Sequence, residues 1–165
     1  MPTLTIKEVS EDHFDEIWPI FQEVVKDADS YPYSPDITKE EAKKLWFSSA
    51  AHVYIAYLDS KPVATRYIVP NKPGLSSHIA NTGVMIDKKY RGQGLGKSMM
   101  EFAIKKAKEL GFKAIQVNLV VSTNIASIKI CQKYGFKIIG IIPKAFHYKR
   151  EKYIDAYIMF LDLKS

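Results

Sequence analysis

Apolar and polar positions alternate along the chain with two periods, one typical of strands and one typical of helices. Strands are predicted at residues 4–9, 52–58, 63–69, 78–86, 114–121, 137–142 and 153–163. Helices are predicted from Ser10 to about Ala28, from Thr38 to about Ser48, from Leu95 to Leu110 and from Asn124 to Tyr134. The predicted order is therefore β-α-α-β-β-β-α-β-α-β-β.

Residues between these elements support the assignment. Thr38 and Glu41 have the spacing of a helix capping box, and Gly111 and Gly135 stand where glycine commonly ends a helix. Residues 59–62 predict the turn of a hairpin, and the loop at residues 31–36 contains two prolines. A short helix between two flanking loops is thus expected before the first hairpin.

The order of elements predicts one mixed α/β domain over residues 1–165, since no low-complexity linker and no repeat interrupts the pattern. Consecutive strands early in the chain favour antiparallel pairing. The strand, helix and strand at 78–121 favour a parallel pair, because such a crossover returns the chain in the same direction.

Composition narrows the class of protein. The 165 residues are 47% hydrophobic and 12% aromatic, which fits a packed globular domain. A single cysteine excludes an intramolecular disulfide and a zinc site of several thiolates, and no metal is expected. We expect no signal peptide at the N-terminus and no apolar run of about 20 residues that would span a membrane. A cytoplasmic protein without a membrane partner is the prediction.

The net charge of +6, from 24 Lys and Arg against 18 Asp and Glu, would suit an anionic ligand. The basic residues are spread over several segments, so a solvated basic surface explains the charge equally well. No cluster of Lys and Arg interleaved with aromatic residues occurs, so nucleic acid is not expected as a partner.

The stretch YRGQGLGKS, residues 90–98, contains three alternating glycines and ends in Gly-Lys-Ser. A P-loop would require glycine at position 91, which is Arg91. A dinucleotide-binding fingerprint would require glycine at position 97 or 99, which are Lys97 and Met99. Both nucleotide-binding motifs are therefore excluded.

The local context of this stretch still favours an anion site. An apolar strand precedes it, and a helix begins directly after it, so free N–H groups would lie at the positive end of a helix dipole. Such a turn can hold a pyrophosphate. The alternative is an ordinary glycine-rich turn with Arg91 in solvent.

Two motifs together resemble those of the GNAT N-acetyltransferase superfamily. Arg91-x-x-Gly94-x-Gly96 is similar to the family's acetyl-CoA loop. Residues 124–136, NIASIKICQKYGF, are similar to its second signature, in which Asn124, Ser127, Ile130, Gly135 and Phe136 match. The predicted element order matches the family over nearly the whole chain.

The resemblance implies acetyl-CoA as co-substrate, bound where two central strands splay apart. It implies that the backbone of Met85 and Ile86 pairs with the pantetheine amides and that N–H groups of the loop bind the pyrophosphate. The cofactor-binding residues that follow from it are Met85, Ile86, Arg91, Gly92, Gln93, Gly94, Leu95, Gly96, Lys97, Asn124, Ser127 and Cys131.

Cys131 departs from the family pattern, which has a tyrosine there to protonate the leaving CoA thiolate. Cys131 or water could serve as the acid, or the step could need little help because a thiolate is already a good leaving group. We favour the last interpretation, in which Cys131 is a contact residue. Asn124 could face the cofactor or could simply cap its helix.

The strands flanking the expected splay, HIANTGVMI and AIQVNLVV, contain no carboxylate that could act as a base. Asn81 and Asn118 are the polar side chains that could face an acceptor amine. An amide carbonyl can orient a neutral amine but cannot deprotonate an ammonium ion. A peptide α-amino group (pKa roughly 7.7–8.0) is more often neutral than a lysine (pKa roughly 10.4), so a lysine acceptor is less favoured.

A closer resemblance, in HIANTGVMIDKKYRGQGLG and in IPKAFHYKREKYIDAYIMF, is to a branch of small-molecule acetyltransferases that act on amino acids and toxic proline analogues. It implies that Asn81 orients the amine as the catalytic residue. Tyr31, Tyr33 and Asn118 are further candidates for the acceptor site.

The expected reaction is direct acetyl transfer to a primary or secondary amine of an amino acid-like molecule. The alternatives are an acetyltransferase for protein N-termini and a non-catalytic acyl-CoA-binding domain. A homodimer is a possible assembly.

Overall fold

The computed structural model describes residues 2–164, and its elements follow the predicted order. The strands are β1 (Leu4–Val9), β2 (His52–Leu58), β3 (Lys61–Pro70), β4 (Ile79–Ile86), β5 (Ala114–Val121), β6 (Lys137–Tyr148) and β7 (Lys152–Asp162). The helices are α1 (Phe14–Lys26), α2 (Lys39–Trp46), α3 (Leu95–Glu109) and α4 (Ile125–Lys133). The predicted single domain also includes Met1 and Ser165, which lie outside the described residues.

All seven strands form one sheet in the order β1-β2-β3-β4-β5-β7-β6. Its neighbouring strands are antiparallel except β4 and β5, which are parallel. The β4–β5 pairing covers two residue pairs, Ile79 with Ala114 and Ala80 with Ile115. Beyond these pairs the strands separate, so the predicted mixed sheet with splayed central strands is confirmed.

A bulge in β5 lies at the point of separation. The β5–β7 register shifts between Val117 and Val120, because two residues of β5, Asn118 and Leu119, stand opposite one residue of β7. A bulge of this kind bends its strand and increases the local twist. The β3–β4 register shows no shift, so β4 stays straight against β3 while β5 turns away.

Helices cover both faces of the sheet. On one face, α1 and α2 bury an apolar cluster that includes Phe21, Trp46 and Met85. On the other face, α3 and α4 pack on a cluster that includes Met100 and Cys131. Buried apolar residues on both faces hold β4 in the middle of the molecule.

Two boundaries differ from those expected. Residues 143–152, which separate two predicted strands, are largely strand themselves, because β6 continues to Tyr148 through a register shift between Ile142 and Phe146. Pro143 lies in this irregular part, where its missing N–H interrupts no ladder. Ser10 makes no side-chain cap for α1, which begins only at Phe14 after a 3-10 turn.

The predicted cap of α2 is confirmed, since Thr38 Oγ1 accepts a hydrogen bond from the Glu41 N–H at 3.2 Å. None of the helices within residues 2–164 is both long enough and apolar enough to cross a bilayer.

Candidate functional site

The separation of β4 from β5 exposes one edge of β4. The N–H of Asn71 donates to the carbonyl of Ile79 at 2.8 Å, and the N–H of Asp87 donates to the carbonyl of Val63 at 2.9 Å. Odd-numbered residues of β4 therefore pair with β3, since hydrogen-bonded positions alternate along an antiparallel strand. The backbone groups of Thr82, Val84 and Ile86 point the other way, towards the gap.

The hydroxyl of Tyr31 occupies this gap. It accepts a hydrogen bond from the Val84 N–H at 2.7 Å and donates to the Val84 carbonyl at 2.5 Å. Both backbone groups that β5 leaves unpaired at Val84 are thereby satisfied. Burial raises the pKa of Tyr31, so its hydroxyl stays protonated and can donate at neutral pH.

Met85 and Ile86 differ in orientation. The backbone groups of Met85 face β3, and its side chain is 1% exposed in the core under α1 and α2. Those of Val84 and Ile86 face the gap. A ligand that pairs with this edge of β4 would therefore meet Val84 and Ile86, and Val84 is a residue that the sequence analysis did not single out.

Aromatic rings form the wall of the gap on the α1/α2 face. The rings of Tyr31 and Tyr33 stack with centroids 5.8 Å apart, and Trp46 packs edge-on against Tyr31 and against Tyr67 at 6.2 and 4.8 Å. Burial also raises the pKa of Tyr33 and of Tyr67. The wall therefore consists of apolar aromatic rings, and its tyrosines end in neutral hydroxyl groups.

A cleft of about 270 Å³ lies beside this wall, between the loop after α1 and the β6–β7 hairpin. The N–H of Lys149 donates to the carbonyl of Ala28 at 2.8 Å, and Arg150 pairs with Asp36 at 2.8 Å, so both contacts join the two sides. Tyr31 lines the cleft and also reaches into the gap. The cleft and the gap therefore meet at this one side chain. The other lining residues are Ala28, Pro32, Tyr33, Ser34, Pro35, Ala145, Phe146, His147 and Arg150.

Asn81 lies on the same face as the aromatic wall. Its Nδ2 donates to the Tyr67 hydroxyl at 3.3 Å, and its side chain is half-buried. The Tyr67 ring lies over Gly83, where an added Cβ would come within 2.5 Å of a ring carbon. The Oδ1 atom of Asn81 keeps its capacity to accept hydrogen bonds from a ligand.

Asn118 is an exposed residue and does not bond to Asn81. Its Nδ2 donates to Asn71 Oδ1 at 2.7 Å, while its Oδ1 accepts from Gln116 at 3.1 Å. The two candidate amides thus belong to separate hydrogen-bonded groups.

Arg66 points to the face of the sheet opposite the aromatic wall, and it is another residue that the sequence analysis did not single out. The side chain is 2% exposed, and Nη1 donates to Thr82 Oγ1 at 2.8 Å. Nε has no hydrogen-bond partner, and no carboxylate of residues 2–164 pairs with the guanidinium. Burial lowers its pKa to about 10, so the group remains positively charged at neutral pH.

Cys131 is 3% exposed and packs in the apolar cluster with Met100, Val120 and Phe136. Burial raises the pKa of its thiol, and the charge of Arg66 opposes that rise. The thiol is therefore neutral at physiological pH and lies near the guanidinium.

The glycine loop joins β4 to α3 with the backbone that an anion site requires. Gly92 and Gly94 have φ values of +75° and +83°, which disfavour residues with a Cβ. The first helical hydrogen bond runs from the Ser98 N–H to the Gly94 carbonyl at 3.2 Å. The N–H groups of Leu95, Gly96 and Lys97 consequently have no acceptor within the helix.

The side chains around the loop are exposed or serve local contacts. Arg91 and Lys97 are exposed, and Gln93 Nε2 donates to the Lys89 carbonyl at 3.1 Å. An added Cβ at Gly96 would lie 2.8 Å from Ile130 Cδ1, so this glycine lets α3 and α4 pack closely. Asn124 Oδ1 accepts from the Ser127 N–H at 3.3 Å and so caps α4.

The described residues 2–164 contain no group of three or more His, Cys, Asp or Glu side chains arranged to hold a metal ion.

Three comparisons with known proteins all find acetyltransferases. The model of the acetyltransferase (GNAT) family matches residues 11–136. N-acetyltransferase aca1 of Schizosaccharomyces pombe is 34% identical, with 78% of this chain and 70% of aca1 covered. The L-amino acid N-acetyltransferase AaaT of Escherichia coli is 28% identical, with 64% of each chain covered. The solved structure of a GCN5-related N-acetyltransferase from Kribbella flavida is 31% identical, with a TM-score of 0.89 over 96% of this chain and 97% of that one.

The contact between Tyr31 and Val84 predicts a difference between two neighbouring tyrosines. Tyr31→Phe removes the hydroxyl that bonds to both the N–H and the carbonyl of Val84, and an unsatisfied buried group costs about 1–3 kcal/mol. Tyr33→Phe is the matched control, because its stacked ring stays and its hydroxyl makes no recorded hydrogen bond. Urea unfolding should show a lower free energy of unfolding for Tyr31→Phe than for Tyr33→Phe. Equal values would contradict the contact.

Proposed function

Because the chain belongs to the acetyltransferase (GNAT) family, we propose that it moves the acetyl group of acetyl-CoA to the primary or secondary amine of a small, amino acid-like molecule. As a member of this family it is an acetyl-CoA-dependent acyltransferase. The observation that carries the finer proposal is the meeting of gap and cleft at Tyr31. A donor in the gap and an acceptor in the cleft would face each other there.

The donor site follows from the loop and the free edge of β4. The N–H groups of residues 92–97 bind the pyrophosphate at the start of α3. Towards the gap, Val84 and Ile86 offer N–H and carbonyl groups to the pantetheine amides, in place of the Met85 and Ile86 pair that the sequence suggested. The Tyr31 hydroxyl leaves Val84 when the donor enters.

The remaining proposed contacts surround this path. Arg91, Gln93 and Leu95 belong to the loop itself. From α4, Ser127 and Asn124 lie at the helix start, and Cys131 packs beneath the gap. With 3% of its surface exposed, Cys131 fits a packing role better than that of a general acid.

The chemistry is a direct transfer in a ternary complex. The neutral amine nitrogen attacks the thioester carbon, the C–N bond forms, and the C–S bond breaks with its electron pair on sulfur. The surplus proton of the amine passes to water. Asn81 Oδ1 accepts a hydrogen bond from the amine and fixes its direction, while Nδ2 stays on Tyr67. Asn118 is the second candidate for this contact.

The size of the cleft supports a small acceptor. Its volume of about 270 Å³ lies below the range of roughly 300–1,000 Å³ that is usual for small-molecule sites. AaaT is named for amino acid acetylation, which agrees with an acceptor of this size. A protein N-terminus, the runner-up, would need a longer groove for an extended peptide. Family membership favours an enzyme over a non-catalytic CoA-binding domain.

Location and assembly are also proposals. A cytoplasmic location agrees with the single cysteine, since secreted small domains more often carry disulfides. Self-association agrees with the edge strand β6, which exposes Ile138, Ile139, Ile141 and Ile142. A second copy of the chain is the proposed partner for that edge. Nucleic acid and membranes are not among the proposed partners.

Thiol release tests the proposed reaction. The protein is incubated with acetyl-CoA and, in separate wells, amino acids, small amines, proline analogues and short peptides with free N-termini. We expect turnover with at least one amino acid or small amine and little turnover with the peptides. Turnover confined to peptides would replace the proposal by the runner-up.

Gly94→Val tests the phosphate position. The φ of +83° strains any residue with a Cβ, and a branched side chain would also enter the path of the phosphates. Gly111→Val is the matched control, because Gly111 has φ +89° at the other end of α3 and an added Cβ there also meets no atom within 4 Å. Calorimetry should show CoA affinity reduced at least about tenfold in Gly94→Val and unchanged in Gly111→Val. Equal CoA affinity in the two variants would contradict the placement.

Asn81→Ala tests the proposed orientation of the amine. Its kcat/KM for the best amine should fall by about 10²-fold or more, since a misplaced reactant at the reaction centre costs about that much. The affinity for acetyl-CoA should stay within about threefold. Asn118→Ala removes the same functional group from an exposed position and should have the smaller effect. The reverse order would assign the role to Asn118.

A further inference from the structure

Among residues 2–164, Arg66 is the charged side chain that the fold buries, and it has no counter-ion. It is 2% exposed, its single recorded hydrogen bond goes to a neutral threonine, and Nε donates to nothing. The ion pairs recorded within residues 2–164 involve other, more exposed side chains. A buried charge without a partner is destabilising, so a ligand that brings a negative charge beside Arg66 would stabilise the guanidinium.

The guanidinium contacts the strand that borders the gap. Arg66 stands opposite Val84 in the β3–β4 ladder, and its side chain reaches Thr82 of β4. Its charge favours the ionised forms of the Tyr31 hydroxyl, which lies in the gap, and of the Cys131 thiol on α4. Arg66 and Tyr31 therefore approach the same stretch of β4 from opposite faces of the sheet.

The gap has a closed end and an open end. The strands β4 and β5 are joined at Ala80 and Ile115, whereas the loop that leads into α3 begins beyond Ile86. In the proposed donor site, the phosphates lie on that loop at the open end. The acyl end of the donor then reaches towards Val84 and Thr82, which is the part of the gap above Arg66.

On the basis of the proposed function, we propose that Arg66 is a catalytic residue that stabilises the negative charge on the CoA sulfur as the thioester bond breaks. The amine nitrogen forms the new C–N bond, the C–S electron pair moves to sulfur, and the amine proton leaves to water. The guanidinium supplies positive charge at the sulfur and transfers no proton. The free CoA thiolate then departs or takes up a proton from solvent.

The titratable side chains next to Arg66 are poor candidates for stabilising the CoA sulfur. The titratable groups around the guanidinium are the hydroxyls of Tyr31 and Tyr67 and the thiol of Cys131, and burial raises the pKa of each. All three are neutral near pH 7 and are poor proton donors to a thiolate. A fixed positive charge in a water-poor site stabilises an anion without prior reorganisation, which makes it effective in a transition state.

Calorimetry with CoA and desulfo-CoA tests the assignment without knowledge of the amine. An ordinary thiol has a pKa of about 8.5, and a thiolate beside Arg66 would have a lower one when bound. Binding of CoA should then release protons near pH 8, and its affinity relative to desulfo-CoA should rise with pH. A one-unit shift corresponds to about a tenfold gain above the pKa of the free thiol. Desulfo-CoA carries the same phosphates and meets the same tyrosines, so it cancels their titration.

Arg66→Met is the decisive variant, because methionine keeps much of the volume and removes the charge. It should lose the CoA-specific proton release while binding desulfo-CoA as the wild type does. With an active amine its kcat should fall by about 10²-fold or more. Its stability to urea should be equal or higher, since replacing a buried charge by an apolar side chain is often stabilising. Arg66→Lys, which keeps a positive charge, should retain part of the proton release.

The results distinguish failure of the role of Arg66 from failure of the proposed function. If CoA and desulfo-CoA bind equally at every pH in the wild type, or if Arg66→Met keeps the proton release, the role of Arg66 is overturned and the proposed function stands. If Arg66→Met does not fold, the wild-type comparison of CoA with desulfo-CoA and the Arg66→Lys variant decide the role by the same proton release. If neither CoA nor acetyl-CoA binds, the proposed function fails and this inference fails with it.

Discussion

In the described chain, β4 and β5 are joined by two residue pairs, Ile79 with Ala114 and Ala80 with Ile115, before a bulge in β5 carries the strands apart. The rest of the site depends on that separation, because it leaves the gap-facing N–H and carbonyl of Val84 without a β5 partner in the middle of a packed sheet. A buried backbone group must find a partner elsewhere. In this structure the partner is the Tyr31 hydroxyl, which brings the loop after α1 against the centre of the sheet.

The opening between the strands is bounded by two groups of different character. Tyr31 closes it from the aromatic side with a neutral hydroxyl. Arg66 lies on the other side as a buried charge that gains nothing from the protein except one threonine contact. Under the proposed function, the amides of a donor would take over the Val84 contact of Tyr31, and its sulfur would lie beside Arg66.

Much of the fold follows from local patterns in the sequence. The element order, the Thr38 cap and the glycine loop depend on residues close in the chain, so periodicity and turn chemistry predict them well. Which residues of β4 face the gap depends on the register of β4 with β3, and the sequence of β4 alone does not show that register. In the structure the backbone of Met85 faces β3 and that of Val84 faces the gap. The length of β6 depends on its pairing with β7, which carries the strand past Pro143.

The depth of Arg66 could not be predicted from its own strand, because α3 and α4 cover that face only in the folded chain. The run VATRYIV gives one signal, a charged residue that shares its side-chain parity with the buried Ala64 and Ile68.

Crystallography of the protein with acetyl-CoA tests the central claim most directly. The account predicts the thioester between β4 and β5, with Val84 paired to the donor, Tyr31 displaced and Arg66 beside the sulfur. A donor bound elsewhere, with Tyr31 still on Val84, would contradict it.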